Sequence, residues 1–588
     1  MGGARLKAPN PYADPSLQLR HFQEEAIDFL LQRNRGLLAL PTGTGKTITA
    51  FSTYSYLKAN NPSLKLIYVT EKGLIPQTIS QDLPTYFSKL TFSHIYNNSK
   101  PQRTQIYKHW TYHTDILILN YASLRIDFTE LGQCLSKLNG NFITILDEAT
   151  NFKSPDAQVS NCVFKICRAS KHAYAMTATP ASSGLYDIFN ILKAIGEPPY
   201  KTKAEFDRFH CNYDTQKMFL FNWNGVKKIG VAIEEKSKKH RTLYFSLSKS
   251  FKISEPVQLL TKPTLGSFTV LNPNKGVFRW IVPANTKTYA SLLALVGDKK
   301  MHCRVSIFDN IQHIGYKNLK SFRMLTERTM FVRSKKEIAT ELPALNVSYH
   351  PCTESEEVRA TIAKLYASEK YSASQIEIAL TTPQVYNPAL PVDYISDKVA
   401  QLIYWLKNDI PNEKCIVYFP YTQATAIIVD LLKKHLNTNI AYICGETTDH
   451  AEQIDAFLNT DTTRILVGTA TILKGLNLQS VDYIATLQKP YVFSNYQQLC
   501  GRINRIGGNN NPKFITNFIT QGTRDEDISE VVLKQATLIQ ELNPKLVEEG
   551  IIPKTHKPTG KGLTESEARK ELDLLLESRR DSYLTKKK

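Results

Sequence analysis

The chain has 588 residues, more than one hydrophobic core organises, so two to four domains are expected. With 42% hydrophobic and 22% charged residues it reads as globular throughout, which excludes an intrinsically disordered chain. The formal charge of +19 makes a polyanion the first partner to consider, although charge alone does not separate DNA from RNA or from an acidic membrane surface.

The opening "MGGARLKAPN" has no apolar signal core, and no run of eighteen apolar residues follows, so a soluble intracellular protein is expected. The nine cysteines form no CxxC pair, which points to buried free thiols rather than a zinc site or a disulfide frame. His302, His313 and His350 fall in no metal-ligand spacing.

From about residue 17 to 210, apolar runs such as "GLLAL", "LKLIYVT", "DILILN" and "FITILDE" alternate with helical periods. That alternation is the pattern of a parallel sheet covered by helices. Within it, "GLLALPTGTGKTITA" predicts a strand, a glycine-bearing loop and a helix starting near Lys46. Such a loop, Thr42 to Gly45, wraps phosphate oxygens with backbone N–H groups at a helix N-terminus. Lys46 then reaches the β- and γ-phosphates of a nucleoside triphosphate, and the Thr47 hydroxyl ligates Mg²⁺. Leu40 stands where the strict form of this loop has glycine.

One hundred residues on, "FITILDEATNF" sets Asp147 and Glu148 at the end of a buried strand. Carboxylates at a strand's C-terminal end lie where such sheets bind ligands, so Asp147 is expected to hold Mg²⁺ through water and Glu148 to orient or deprotonate an attacking water.

The texture changes over residues 221 to 340, where 22 Lys and Arg stand against 7 Asp and Glu. Most of the excess positive charge is therefore in this segment. Short β-like pieces between about 240 and 285, including "GVFRWIV" with Phe278 and Trp280 flanking Arg279, predict a small β-rich insertion. Its aromatics serve either a small barrel's core or a base-stacking face.

Strand and helix alternation returns from about 390 to 540 with "KCIVYF", "NIAYIC", "TRILVGT" and "VDYIATL". There "QQLCGRINRIGG" spaces Arg502 and Arg505 three apart, which on a helix puts both guanidiniums on one face. Triphosphate hydrolysis needs a positive group against the transferring phosphoryl, and the first lobe offers no obvious candidate. The two arginines are expected to supply it across a cleft. After the Pro/Gly/Lys stretch "IPKTHKPTGKG", Thr564 and Glu567 announce a charged terminal helix with a capping box.

With these residues in hand, the chain resembles superfamily-two helicases, most closely the Swi/Snf-like DNA translocases with their annealing-helicase and viral relatives. The resemblance covers about 17 to 210 and 320 to 530. It implies that "LRHFQEEAIDFL" recognises adenine through Arg20 and Gln23, and that "AMTATP" couples nucleotide state to the strand grip through Thr177 and Thr179. It also implies strand contacts from Thr70 and Tyr121 in the first lobe and from Thr469, Lys474 and Asn477 in the second. For Tyr121, core packing at a strand end is an equal reading. "TERTMFVRSKKEIATELPAL" is similar to the family's bridge into lobe two. Thr150 stands where the family usually has His, and Gly508 where Gln is common.

The implied architecture is α/β, with two RecA-like P-loop lobes built on parallel sheets and a basic β-rich insertion. Its segments are an arm at 1–16, an ATP-binding lobe at 17–210, the insertion and bridge at 211–345, a helical linker at 346–389, a second lobe at 390–545, and a linker with the charged helix at 546–588. The implied activity is ATP-dependent, Mg²⁺-requiring translocation on duplex or branched DNA by a monomer. A replication or repair protein is the expected partner, and no membrane is involved. An RNA helicase and a DNA-binding scaffold with weak ATPase are the alternatives.

Overall fold

A computed structural model describes residues 10–152, 154, 157–182, 184–223, 226–236, 240–246, 257–258, 267–272, 277–283, 295–296, 303–338, 343–368, 371–447, 449–473, 476, 478–505, 509–547 and 562–585. For 213–314, 565–566 and 581–582 the description is of the backbone alone. The chain forms two compact units, one made of residues 1–201 with 318–588 and the other of Thr202–Lys317.

The first lobe begins with helix His21–Leu31, whose Phe22, Ala26, Ile27 and Leu30 face inward at helical spacing. Its strands are β1 (Arg35–Ala39), β2 (Lys65–Thr70), β3 (Phe92–His94), β4 (Ile116–Asn120), β5 (Phe142–Leu146) and β6 (His172–Thr177). Short, almost wholly apolar runs such as "FITIL" suit strands covered on both faces. Leu38, Leu40, Phe51, Tyr68, Ile118, Ile145 and Tyr174 close one core over this sheet.

The chain then builds the second unit from β7 (Cys211–Trp223), β8 (Val226–Lys236), β9 (His240–Ser246), β10 (Val257–Gln258), β11 (Ser267–Asn272), β12 (Val277–Pro283), β13 (Leu295–Val296) and β14 (Cys303–Tyr316). Six of these form an antiparallel sheet in the order β11-β12-β9-β8-β7-β14. The β-rich segment is thus larger than the expected 240–285, because long strands that read as featureless in isolation find partners far along the chain. "GVFRWIV" is the interior strand β12, and the environment of its aromatic side chains lies outside the described residues.

On its return the chain adds β15 (Met330–Val332) to the first lobe's sheet, parallel to β1, giving the order β15-β1-β6-β5-β2-β4-β3. The second lobe's sheet consists of β16 (Leu345–Cys352), β17 (Cys415–Tyr418), β18 (Asn439–Ile443), β19 (Thr463–Gly468), β20 (Tyr483–Thr486) and β21 (Lys513–Thr520). Its order is β16-β21-β20-β17-β19-β18 with every pairing parallel. This sheet therefore starts at Leu345, well ahead of the expected 390, because the run "LNVSYHPC" pairs along its whole length with β21.

Helices Glu356–Ala367 and Ala373–Thr381 form a separate apolar cluster with the terminal helix Glu565–Thr585 through Val358, Ile362, Tyr366, Ile376, Leu380 and Leu576. The charged C-terminal helix thus docks on its own chain. Among the described residues, no helix is long and apolar enough to cross a membrane.

Candidate active site

The loop after β1 turns through Gly43 and Gly45, both at φ +74°, before helix Lys46–Asn60 begins. That backbone region is open to glycine and costly for other residues. Space is also short there. A Cβ on Gly45 would lie 2.6 Å from Gln23 Nε2, and one on Gly43 would lie 2.7 Å from Arg505 Cγ. Gln23 donates to the Thr44 carbonyl at 3.1 Å and accepts from the Arg20 N–H at 2.9 Å, so the first helix is tied directly to the loop. The buried Lys46 ammonium donates to the carbonyls of Leu40 (3.3 Å) and Pro41 (3.2 Å). Burial lowers its pKa, against the pull of Glu148 and Asp147.

Asp147 and Glu148 follow β5, which is separated from β1 by β6 alone, so loop and carboxylates share one edge of the sheet. Asp147 Oδ2 accepts from Tyr68 (2.9 Å) and Thr70 (3.3 Å), and its Oδ1 accepts from the Glu148 N–H at 3.0 Å. The Thr47 hydroxyl also acts on the Tyr68 phenol, so Thr47 and Asp147 lie on either side of one side chain. Burial raises the pKa of both carboxyls, with Lys46 opposing. Glu148 sits at φ +49°, a strained conformation for a residue with a side chain, and its Oε2 is buried with no hydrogen-bond partner. A left-handed glutamate with an unsatisfied oxygen facing a cleft is the feature a waiting water or ion would relieve.

Helix Phe493–Cys500 stops before the arginine pair, so Arg502 and Arg505 lie on a turn and not on one helical face as expected. The turn brings both into the cleft all the same. Arg502 is 9% exposed; it donates to the carbonyls of Leu473 and Leu476, and its Nε has no hydrogen-bond partner. Arg505 donates to Leu476 O at 2.9 Å and Gly501 O at 3.2 Å while its methylenes cover Gly43. Burial, then Arg502, lowers the Arg505 pKa to about 9, which leaves the guanidinium charged at neutral pH. Gly501 approaches so closely that a Cβ there would be 2.1 Å from Thr42 Oγ1.

The result is a cavity of ≈ 230 Å³ between the lobes, lined by Thr42 to Ile48, Asp147, Glu148, Arg502 and Arg505. Five further polar residues to which the motifs assign no role, Glu71, Gln77, Asp82, Gln479 and Gln498, line it too. Asp82 ends a π-helical turn, Thr78–Asp82, and its carboxyl is pushed up to about 6 by burial. An i to i+5 turn at a cleft is the one local signal that could have marked it.

The strand-contacting expectations fare differently. Thr70 is fully buried with its hydroxyl on Asp147, Tyr121 donates to the Asp147 carbonyl at 2.5 Å, and Thr469 is buried against the Thr471 hydroxyl. All three hydroxyls are engaged within their own lobe in this structure. Lys474 and Asn477 lie outside the described residues. Thr177 and Thr179 sit at the end of β6, between the loop strand and the carboxylate strand, with the Thr179 N–H donating to Thr177 Oγ1 at 3.1 Å.

Comparison with known families matches residues 22–250 to the SNF2-related domain and residues 397–507 to the helicase conserved C-terminal domain. The chain thus carries an SNF2-related domain followed by a helicase conserved C-terminal domain, the two parts that a Swi/Snf-like superfamily-two protein combines. The first match runs past the expected 210 into the strands of the antiparallel unit. The chain is 25% identical over 219 residues to a SWI/SNF-related matrix-associated actin-dependent regulator of chromatin subfamily A-like protein 1 homolog of Caenorhabditis elegans, over 37% of this chain and 30% of that protein. It is 26% identical over 223 residues to the DNA 3'-5' translocase XPB2 of Sulfurisphaera tokodaii, over 37% of this chain and 44% of that protein. The matched stretch thus spans less than half of either relative. Among solved structures, the Sulfolobus solfataricus SWI2/SNF2 ATPase core, alone and in complex with dsDNA, aligns at 15% identity with TM-scores of 0.35 and 0.34. Those alignments cover 92% and 90% of this chain and 94% and 93% of the solved chains.

Proposed function

We propose that the protein hydrolyses ATP between its two lobes and uses the cycle to move along duplex or branched DNA. The observation that carries the reading is the closed set of opposite charges: Lys46, Asp147 and Glu148 from one lobe face Arg502 and Arg505 from the other across a single cleft. In this reading Arg20 and Gln23 hold the adenine, and Thr42 to Gly45 wrap the phosphates. Glu148 orients the attacking water and takes its proton, and the two guanidiniums neutralise charge that develops on the γ-phosphoryl oxygens. Thr47 and Asp147 are the residues that would hold Mg²⁺, which supplies charge neutralisation on the β- and γ-oxygens. Asp147 Oδ1 has a lone pair free beyond the Glu148 N–H, which suits ligation through water.

Lobes that open and close with the nucleotide step along a strand when each grips phosphates with alternating strength. Thr177 and Thr179, between the two nucleotide-contacting strands, carry that state outward. Lys474 and Asn477 remain our assignments for the grip in lobe two, with the basic antiparallel unit adding affinity. Support for DNA as the track comes from the basic charge and from the similarity to a relative named a DNA translocase. Remodelling by branch migration, fork regression, annealing or protein displacement, by a monomer in replication, recombination or repair, follows from the annealing-helicase and viral branch we assign it to.

The test is steady-state ATP hydrolysis without nucleic acid, then with single-stranded DNA, duplex DNA, a four-way junction and RNA. Stimulation by duplex or junction DNA is expected. Stimulation by RNA alone would replace the reading with an RNA helicase, and absence of hydrolysis under every condition with a DNA-binding scaffold.

A further inference from the structure

The arginine pair does not stand on a regular element. Helix Phe493–Cys500 ends first, and residues 501–505 form a turn whose internal bonds are Asn504 N–H to Cys500 O (3.2 Å) and Arg505 N–H to Ile503 O (3.2 Å). Neither bond uses the carbonyl of Asn504, which lies between the two arginines in a residue only 3% exposed. A buried carbonyl needs a partner, and this one is supplied from 169 residues away. Lys335 Nζ donates to it at 2.5 Å, from a side chain that is itself 6% exposed.

The base of Lys335 belongs to the other lobe. It follows β15, the strand paired with β1 beneath the phosphate loop, and two residues earlier Arg333 bonds Glu25 at 3.0 Å on the helix that supplies Gln23. The lysine is therefore rooted in the nucleotide-binding lobe and ends on the turn that carries the arginines. Glu337 on the same short helix pairs with Lys545 at the surface, but an exposed pair of this kind contributes little. The ammonium-to-carbonyl bond is charge-assisted and lies between two buried residues, where a hydrogen bond is stronger than at the surface.

We propose that Lys335 is a positioning residue for Arg502 and Arg505, fixing the Asn504 carbonyl so that both guanidiniums point into the cleft. The proposal rests on the ATPase reading above. It predicts a specific kinetic signature. ATP is held by lobe one, so losing Lys335 affects turnover and leaves nucleotide affinity nearly untouched.

The experiment compares wild type with Lys335→Met and Lys335→Arg, each with and without Arg505→Ala, by kcat and KM for ATP and by amide hydrogen exchange of residues 499–505 in the free protein. Loss of one buried charge-assisted bond corresponds to a fall in kcat of about 10- to 100-fold for Lys335→Met, with KM within about twofold. Exchange should rise in 499–505, and Lys335→Arg should recover part of both effects. In the Arg505→Ala background the methionine variant should add less than about threefold, because it acts through that arginine.

Independent, multiplying effects, a change in KM with kcat intact, or faster exchange throughout both lobes would each overturn the proposal in favour of general cementing of the fold. A wild-type protein that hydrolyses no ATP would instead remove the ATPase reading, and exchange in 499–505 would then decide alone whether Lys335 holds the turn.

Discussion

Lys46 and Arg505 reach the same cleft from opposite lobes, and their removal should fail in different ways. Lys46→Ala is expected to abolish ATP hydrolysis while leaving DNA binding within about twofold, because the lysine faces phosphates and contacts no proposed DNA site. Loss of both functions, read by hydrolysis and by fluorescence anisotropy, would make it a fold residue. Arg505→Ala should slow turnover by about 10³-fold or more, as for other arginine fingers, and a rate near wild type would take that arginine out of the site.

Asp82 gives a separate pH test. Its carboxyl titrates at about 6 in the folded lobe against 3.8 for the ordinary group, because burial outweighs the Gln77 hydrogen bond and Asp147 adds repulsion. Below the lower value both folded and unfolded chains are protonated and nothing is lost. As pH rises through about 6 the folded state must give up a proton in a poorly hydrated place, and stability falls. Asp82→Asn should therefore raise the unfolding free energy measured in urea at pH 7.5 without Mg²⁺ by roughly 1–3 kcal/mol on the 1.36 kcal/mol-per-unit scale, and the gain should vanish at pH 4. A gain of equal size at both pH values would show that packing, not ionisation, is responsible.

The C-terminal helix illustrates how a highly charged element comes to be structural. Thr564 and Glu567 cap it reciprocally, at 2.7 and 3.2 Å, as their spacing predicts. What the charges conceal is the narrow stripe of Ala568, Leu572 and Leu576, all buried, which lies against helices Glu356–Ala367 and Arg524–Leu542. Polar contacts orient the docking. Arg579 grips Asp527 through two nitrogens, and Lys534 bonds Glu571 at 2.7 Å. Below the stripe, Arg524 pairs with the buried Glu377 at 2.6 Å and donates to the Leu572 carbonyl at 2.9 Å. Leu576→Ala is expected to cost about 2–5 kcal/mol in urea unfolding of the second lobe, as for other buried leucines. A cost under about 0.5 kcal/mol would mean that the helix detaches freely.

For the molecule as a whole, the instructive feature is how the basic unit joins the chain. β7 and β14 pair down to Cys211 and Tyr316, and the Lys317 N–H reaches the His210 carbonyl at 2.9 Å. The chain thus leaves and returns at adjacent points, and replacing 211–316 by a short Gly/Ser linker should leave the remaining lobes folded. Removing that concentration of positive charge should weaken DNA affinity and flatten its dependence on salt, by about 0.9 in slope for each phosphate that is no longer neutralised. Measured by anisotropy titrations across salt concentrations, an unchanged slope would reassign the unit to binding another protein.

The sequence by itself determined what depends on neighbours along the chain. The loop Thr42 to Gly45 running into helix Lys46–Asn60, the strand ending at Asp147, and the cap at Thr564 are each dictated by backbone geometry within a few residues, so their motifs can be read directly. The apolar runs likewise mark the parallel strands, since a doubly covered strand must be apolar on both faces. Tertiary structure alone decided the rest. Sequence alone leaves both readings of Tyr121 open and cannot orient the Thr70 hydroxyl, because a strand-end hydroxyl can turn in or out and the acceptors of Thr70 and Tyr121 lie 77 and 26 residues away. β16 reads as linker because its alternating exposure matches no pattern until β21 pairs with it. Asp82 and Lys335 lie in stretches that resemble family segments, but nothing in those stretches singles out either residue. Each acquires its role only when chain distant in sequence closes over it, where burial removes water and makes a single proton or hydrogen bond decisive.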